Sequence, residues 1–327
     1  FTTPASAQQV ITMEPGTSVF DVTADGNIVT GNGPGGAFIW HWRNDPGPTY
    51  IGDAWATAIS DDGSVIVGNM DDPGTGAQVA GRWTAATGWV SLGGFSQCGS
   101  ISSAYDVSGD GTQVIGLAWL PGCDAHGFLW TESTGMQTLE SVANGINRAT
   151  AISDDGTRIG GFGQGSFSRT PAYWDSSNLD GNVDDIDDNG EVLGLSQDGD
   201  LSVGTFDFGG ATPKRAFIRT ESGLSGYINI GSLYNDWGGN ATDIAEDASI
   251  VCGFDVQGLA RDAWVWTSED GIVDMEQFMI DAGVLNPPNF IVCRKMSDDG
   301  NVIVGSYDPQ AIPFFEGGFI AEVSSDG

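Results

Sequence analysis

The chain has 327 residues, with 44 acidic and 11 basic, for a formal charge of −33. That balance argues against DNA, RNA and anionic membranes as partners, because nothing would neutralise phosphates. It favours solubility, high-salt surroundings or cation binding.

No apolar run is long enough to span a bilayer. Ala5-Ser6-Ala7 has the shape of a signal-peptidase site, but too few residues precede it for an apolar segment. The first predicted element is a lone strand, Gln9-Val10-Ile11-Thr12-Met13. A block then recurs about seven times, with a period in the mid-forties. Its clearest copies are Ala56–Gly68 and Ala149–Gly161; looser ones are Phe20–Gly31, Tyr105–Gly116, Leu193–Gly204, Thr242–Gly253 and Arg294–Gly305. Each is followed by a small residue and an aromatic, as in Ala37-Phe38, Gly127-Phe128 and Ala263-Trp264.

The third copy reads as four strands: Ser102–Val107, Thr112–Trp119, His126–Thr131 and Met136–Leu139, the first two joined by the turn Ser108-Gly109-Asp110-Gly111. Four antiparallel strands per unit is the pattern of a propeller blade. The expected fold is an all-β, seven-bladed β-propeller in one domain, 1–327, with repeats near 14–55, 56–101, 102–147, 148–190, 191–239, 240–290 and 291–323. A β-sandwich or open solenoid is the alternative. The seventh repeat stops after its third strand, so residues 9–13 are expected to close it and remove both sheet edges. Two segments depart from the pattern. Asp180–Gly190 replaces the fourth strand and turn of the fourth repeat, and Val273–Gly283 has apolar residues at helical spacing with Gly283 as C-cap.

Alternation of strand direction puts Cys98 with Cys123, and Cys252 with Cys293, at one end of the propeller. Two disulfides and an oxidising compartment are expected, against four buried thiols. No C-x-x-C spacing and two distant histidines, His41 and His126, argue against zinc or haem. Asp185, Asp187 and Asn189 stand at alternate positions before Gly190, as in calcium loops, with Asp180, Asn182 and Asp184 as a looser cage. The twelfth position is Ser196 rather than Glu, and a solvated acidic loop is the alternative. The aspartates of the repeated Ser-x-Asp-Gly are expected to cap their own turns. His41, between Trp40 and Trp42, and Arg43 are the candidate catalytic pair; a packed tryptophan pair with an exposed histidine is the alternative. No G-x-S-x-G, H-E-x-x-H or phosphate-cradling loop is present, so no nucleotide is expected. Tyr234, Trp237, Trp119 and Trp89, together with Trp55, lie outside the regular aromatic position and could stack on sugar rings.

The block Ser-x-Asp-Gly-x-x-Val-x-Gly followed by Ala-Phe-x-Trp-Thr resembles the HAF-type repeats of bacterial extracellular proteins. The C-terminal order strengthens the likeness: helix, then Met296–Gly305, then Gly318-Phe319-Ile320-Ala321. The resemblance implies secretion or surface display and a propeller-like fold, and carries over no catalytic residues. The sixth copy departs from it, with Glu246-Asp247-Ala248 where the turn glycine should stand. The expected function is a non-enzymatic structural or adhesive component of an extracellular layer, filament or matrix. Its expected partners are copies of itself, other extracellular proteins or polysaccharide. The alternatives are a polysaccharide-binding module and a carbohydrate-active lyase or hydrolase.

Overall fold

The computed structural model describes residues 8–95, 101–142, 145–165, 168–183, 189–209, 213–220, 226–310 and 316–323. They form seven four-stranded antiparallel sheets. The inner strands are Ser18–Val22, Trp55–Ile59, Ser102–Val107, Ile146–Ile152, Gly190–Leu195, Gly238–Ile244 and Phe290–Met296. Each of the first six blades runs outward in chain order. The seventh takes its outermost strand, Gln9–Thr12, from the other end of the chain, with Gln9 opposite Glu322 and Thr12 opposite Phe319. The expected seven-bladed propeller with a closing strand is therefore observed.

The expected replacement of the fourth strand of blade four by Asp180–Gly190 is corrected. Gly181–Val183 pairs with Ala172–Trp174 as a three-residue strand. Glycine is required there, since a Cβ at Gly181 would lie 2.4 Å from Val142 and 2.7 Å from the Trp174 indole nitrogen. The helix forms as expected, over Met275–Asp281. Asp274 accepts from the Gln277 amide at its start, and Met275 and Met279 are buried beneath it. The chain leaves through Gly283 at φ 92°. No helix among the described residues is long and apolar enough to cross a membrane.

Every inner strand carries a bulge at the same place: Phe20, Thr57, Tyr105, Thr150, Leu193, Thr242 and Arg294 interrupt the register. The bulge explains the last glycine of each repeat. A Cβ on Gly31, Gly68, Gly116, Gly161, Gly204, Gly253 or Gly305 would meet an inner-strand carbonyl oxygen at 1.9–2.2 Å. In five blades that glycine also lies opposite a repeat aromatic, Phe38, Phe128, Phe217, Trp264 or Phe319. All five rings are fully buried, and burying each contributes roughly 2–3 kcal/mol. The core fills the seams between blades: Phe38 and Val29 of blade one pack with Val302, Val304 and Ile320 of blade seven.

The expected Cys252–Cys293 disulfide is corrected: both are free thiols, fully buried in the cluster beneath the helix. Their proximity was foreseen, but their oxidation state is not a property of spacing. Cys98, the expected partner of Cys123, lies outside the described residues.

Candidate functional site: the acidic mouth of the axial channel

The turn after each inner strand lies at one end of the central axis. In blade two, the Asp62 carboxylate accepts from the Ser60 hydroxyl and the Ser64 amide, while the Val65 amide donates to Ser60 Oγ. The same arrangement recurs at Asp25, Asp110, Asp155, Asp198 and Asp299. These aspartates cap their own turns, as expected. Bonds from Ser64 hold the Asp62 carboxyl below the usual range. Blade six has no glycine at this turn, and Ala248 adopts φ 57° in its place.

The residue before each capping aspartate has a different role. Adjacent turns are joined around the axis by amides that donate to the next blade. Asp61 donates to Gly109, Gly109 to Asp154, Asp155 to Gln197, Glu246 to Asp298 and Asp298 to Ala24. The link from blade five to blade six uses a side chain, the Gln197 amide donating to the Glu246 carboxylate at 2.8 Å. This collar leaves the carboxylates of Asp61, Asp154, Glu246 and Asp298 facing the mouth of the channel, an open cavity of about 560 Å³.

Below the mouth is a second ring, formed by the residue just past each bulge: Asp21, Ala58, Asp106, Ala151, Gly194, Asp243 and Lys295. The three aspartates stitch blades together. Asp21 accepts from the Ile59 amide at 2.9 Å, Asp106 from Ile152 at 3.0 Å and Asp243 from Met296 at 2.8 Å. Lys295 Nζ stands 3.9 Å from Asp106 and 3.7 Å from Asp243. A cavity of about 50 Å³ separates this ring from the mouth.

One ammonium cannot neutralise so many carboxylates, and their proton affinities show it. Burial alone would lower the Lys295 ammonium, but Asp106, Asp243, Asp21 and Asp154 outweigh it and hold Lys295 well above the ordinary lysine range. Burial pushes Asp21 up to about 7 despite Lys295, and raises Asp106 and Asp243 as well. At the mouth, burial and then the charge of Asp61 push Asp154 up to about 8 and Asp298 to about 6. Asp61 and Glu246 are raised by burial too. No donor among the described residues reaches the carboxylates of Asp154 or Asp298. Lys295 is thus the counter-charge of this ring, and its surroundings favour the protonated form.

The candidates from sequence lie elsewhere and are not brought together. His41 is exposed after the third strand of blade one. Arg43 stacks on Trp42 at 4.0 Å and pairs with Glu322 at 2.8 Å, tying blade one to the closing blade. Trp40 and Trp42 are buried. Tyr234 and Trp237 are in ring contact at 4.7 Å in the loop between blades five and six, and the Tyr234 hydroxyl donates to Asp262. Trp89 lies on the outer strand of blade two, and Trp119 ends the second strand of blade three, so the four aromatics form no common platform. Of the calcium candidates, Asp184, Asp185 and Asp187 lie outside the described residues. Asp180 accepts from the Asn178 side chain, Asn182 pairs with Tyr173 in the sheet, and the Asn189 carbonyl accepts from Asp207. The mouth was missed because it occupies the variable x of Ser-x-Asp-Gly. The signal was present as Ser-Asp-Asp-Gly in blades two, four and seven.

No protein-family model and no curated protein matches the chain. Solved structures do. The propeller domain of the Trilobed protease from Pyrococcus furiosus, which has an open velcro topology, superposes with TM-score 0.64 at 11% identity over 96% of each chain. A prolyl endopeptidase matches with TM-score 0.60 at 11% identity, over 98% of this chain and 49% of its own. TolB from Acinetobacter baumannii matches with TM-score 0.50 at 14% identity, over 81% of this chain and 65% of its own. The chain thus spans about half of the endopeptidase and just under two thirds of the TolB. The expected structural or adhesive role in an extracellular layer, filament or matrix is corrected by these neighbours, which are TolB and peptidase propellers. At such identities they establish the propeller fold and nothing finer.

Proposed function

We propose that the chain is a protein-binding propeller whose acidic mouth receives a cationic segment of a partner, a lysine or arginine side chain carried on a loop or terminus. The observation that carries this reading is the set Asp61, Asp154, Glu246 and Asp298. These four carboxylates surround an open cavity, with Lys295 as the one cation beneath them. An ammonium or guanidinium entering there would relieve their mutual repulsion and satisfy oxygens that lack donors. An organic cation suits the site better than a metal ion. Among the described residues no three His, Cys, Asp or Glu side chains converge to hold one, and a guanidinium can bridge carboxylates that are further apart. The five Ser-x-Asp-Gly turns, in blades two, three, four, five and seven, also support assignment to the HAF-type repeats as part of this proposal.

The test is titration of an arginine-rich decapeptide by calorimetry at low and high salt. Wild type should bind, more weakly as salt rises, and the double variant Asp154→Asn/Asp298→Asn should bind at least about tenfold more weakly. Asp247→Asn removes a charge from the same face without touching the mouth and should bind as wild type does. Equal losses in both variants would reduce the effect to general attraction by an acidic protein and overturn the site.

A further inference from the structure

The seam between blades six and seven contains a pair of thiols. Cys252 lies on the second strand of blade six and Cys293 on the inner strand of blade seven, both fully buried. Both side chains belong to the one buried cluster beneath the helix. Thr242, the bulge residue of blade six, bonds to both: its hydroxyl lies 3.2 Å from the Cys252 carbonyl, 2.9 Å from the Cys293 carbonyl and 3.5 Å from Cys252 Sγ.

Two other seams repeat this construction without sulfur. Thr57 joins Val67 to Ala104, and Thr150 joins Gly160 to Val192. The second of these measures the spacing. A Cβ on Gly160 would stand 3.2 Å from the Val192 Cβ, somewhat closer than the roughly 3.5–4.5 Å that a disulfide spans. The repeat itself therefore sets the two positions side by side across each seam, and only the blade six–seven seam places cysteine at both.

We propose that Cys252 and Cys293 are a redox pair that closes as a disulfide and covalently joins blade six to blade seven. The oxidant is a small-molecule disulfide. One cysteine, as thiolate, attacks it and expels one thiolate equivalent. The second cysteine then attacks the mixed disulfide and expels the other. Two electrons pass to the oxidant, and two protons leave the protein. Burial, and then the neighbouring Cys252, push the Cys293 thiol well above its ordinary range, so the closed seam disfavours the Cys293 thiolate that exchange requires. Exchange belongs to folding, before blade seven docks, and the finished propeller retains the state it was given.

The experiment is refolding of the full chain in oxidised or reduced glutathione, followed by denaturation, alkylation and peptide mapping. Oxidative refolding should yield a linked pair of peptides containing Cys252 and Cys293, and a melting midpoint higher by roughly 5–10 °C. Cys293→Ser should abolish both the link and the difference between buffers. Native reduced protein given the same oxidant should stay alkylatable at both positions once unfolded. Recovery of both cysteines as alkylated thiols after oxidative refolding of wild type would overturn the pair. That reading needs no variant to fold. Rapid cross-linking of the native protein would overturn its restriction to folding.

Discussion

Asp61 and Asp62 are adjacent in the chain, and their surroundings push them in opposite directions. Asp62 is bound into its own turn by Ser60 and Ser64, and its carboxyl sits below the usual range. Asp61 faces the axis among other acids, and its carboxyl is raised. The same division runs around the propeller. A capping collar holds the turns, while an axial set of carboxylates is forced together by the blades and balanced by Lys295 alone. The first stabilises the fold through ionised oxygens with donors; the second costs stability whenever it is fully charged.

The sharpest way to break this comparison is to remove the balancing cation. Lys295→Met should cost about 3–5 kcal/mol in chemical denaturation at pH 7, because three buried aspartates lose their counter-charge. A smaller loss would mean that those carboxylates are already neutral. Asp154→Asn should act with the opposite sign. Its folded-state value of about 8 lies above that of an unfolded carboxylate. The native protein therefore binds more protons between about pH 4 and 8, and stability falls as pH rises through that window. The substitution should flatten the slope and add about 1–2 kcal/mol at pH 8, discounted for water in the open mouth, with little change at pH 4. Asp62→Ala should cost about 1 kcal/mol at neutral pH through lost turn bonds. Its lowered carboxyl contributes above the unfolded value, and that contribution is lost as pH falls. Gains from both Asp154→Asn and Asp62→Ala would erase the distinction between collars. Least of all, Ala248→Gly should add about 0.5 kcal/mol by relieving positive φ in the one turn without glycine, measured by thermal melting.

The parts legible in the sequence are those where one residue has one local task. Turn glycines, capping aspartates and the closing strand have composition signals that do not depend on the rest of the fold, and the structure agrees with them. Gly68 and its equivalents were readable as repeat positions but not by cause. Their constraint is a carbonyl of the neighbouring inner strand, two residues ahead of its bulge, which alternation patterns do not reveal. The acidic mouth was hidden for a different reason. Asp61, Asp154, Glu246 and Asp298 are at least 52 residues apart in sequence and meet only because a closed ring gives every blade the same distance from one axis. His41 and the scattered aromatics drew notice because they are rare residue types, which is no guide to convergence.

The collar of amides has one more consequence. Its N–H groups all donate in the same rotational sense, from each blade to the next, through all but the first seam. At a helix end aligned peptide dipoles sum to a field, but dipoles laid head to tail around a circle cancel. The scaffold thus contributes almost no potential of its own along the axis. The polarity of the mouth is set by one side chain per blade and, Glu246 apart, at positions whose collar bonds are made by the backbone and do not depend on what that side chain is. Exchanging Asp61, Asp154 and Asp298 for lysine would invert the preferred charge of a guest while leaving the frame in place. In such an architecture, selectivity can be rewritten without rebuilding the fold.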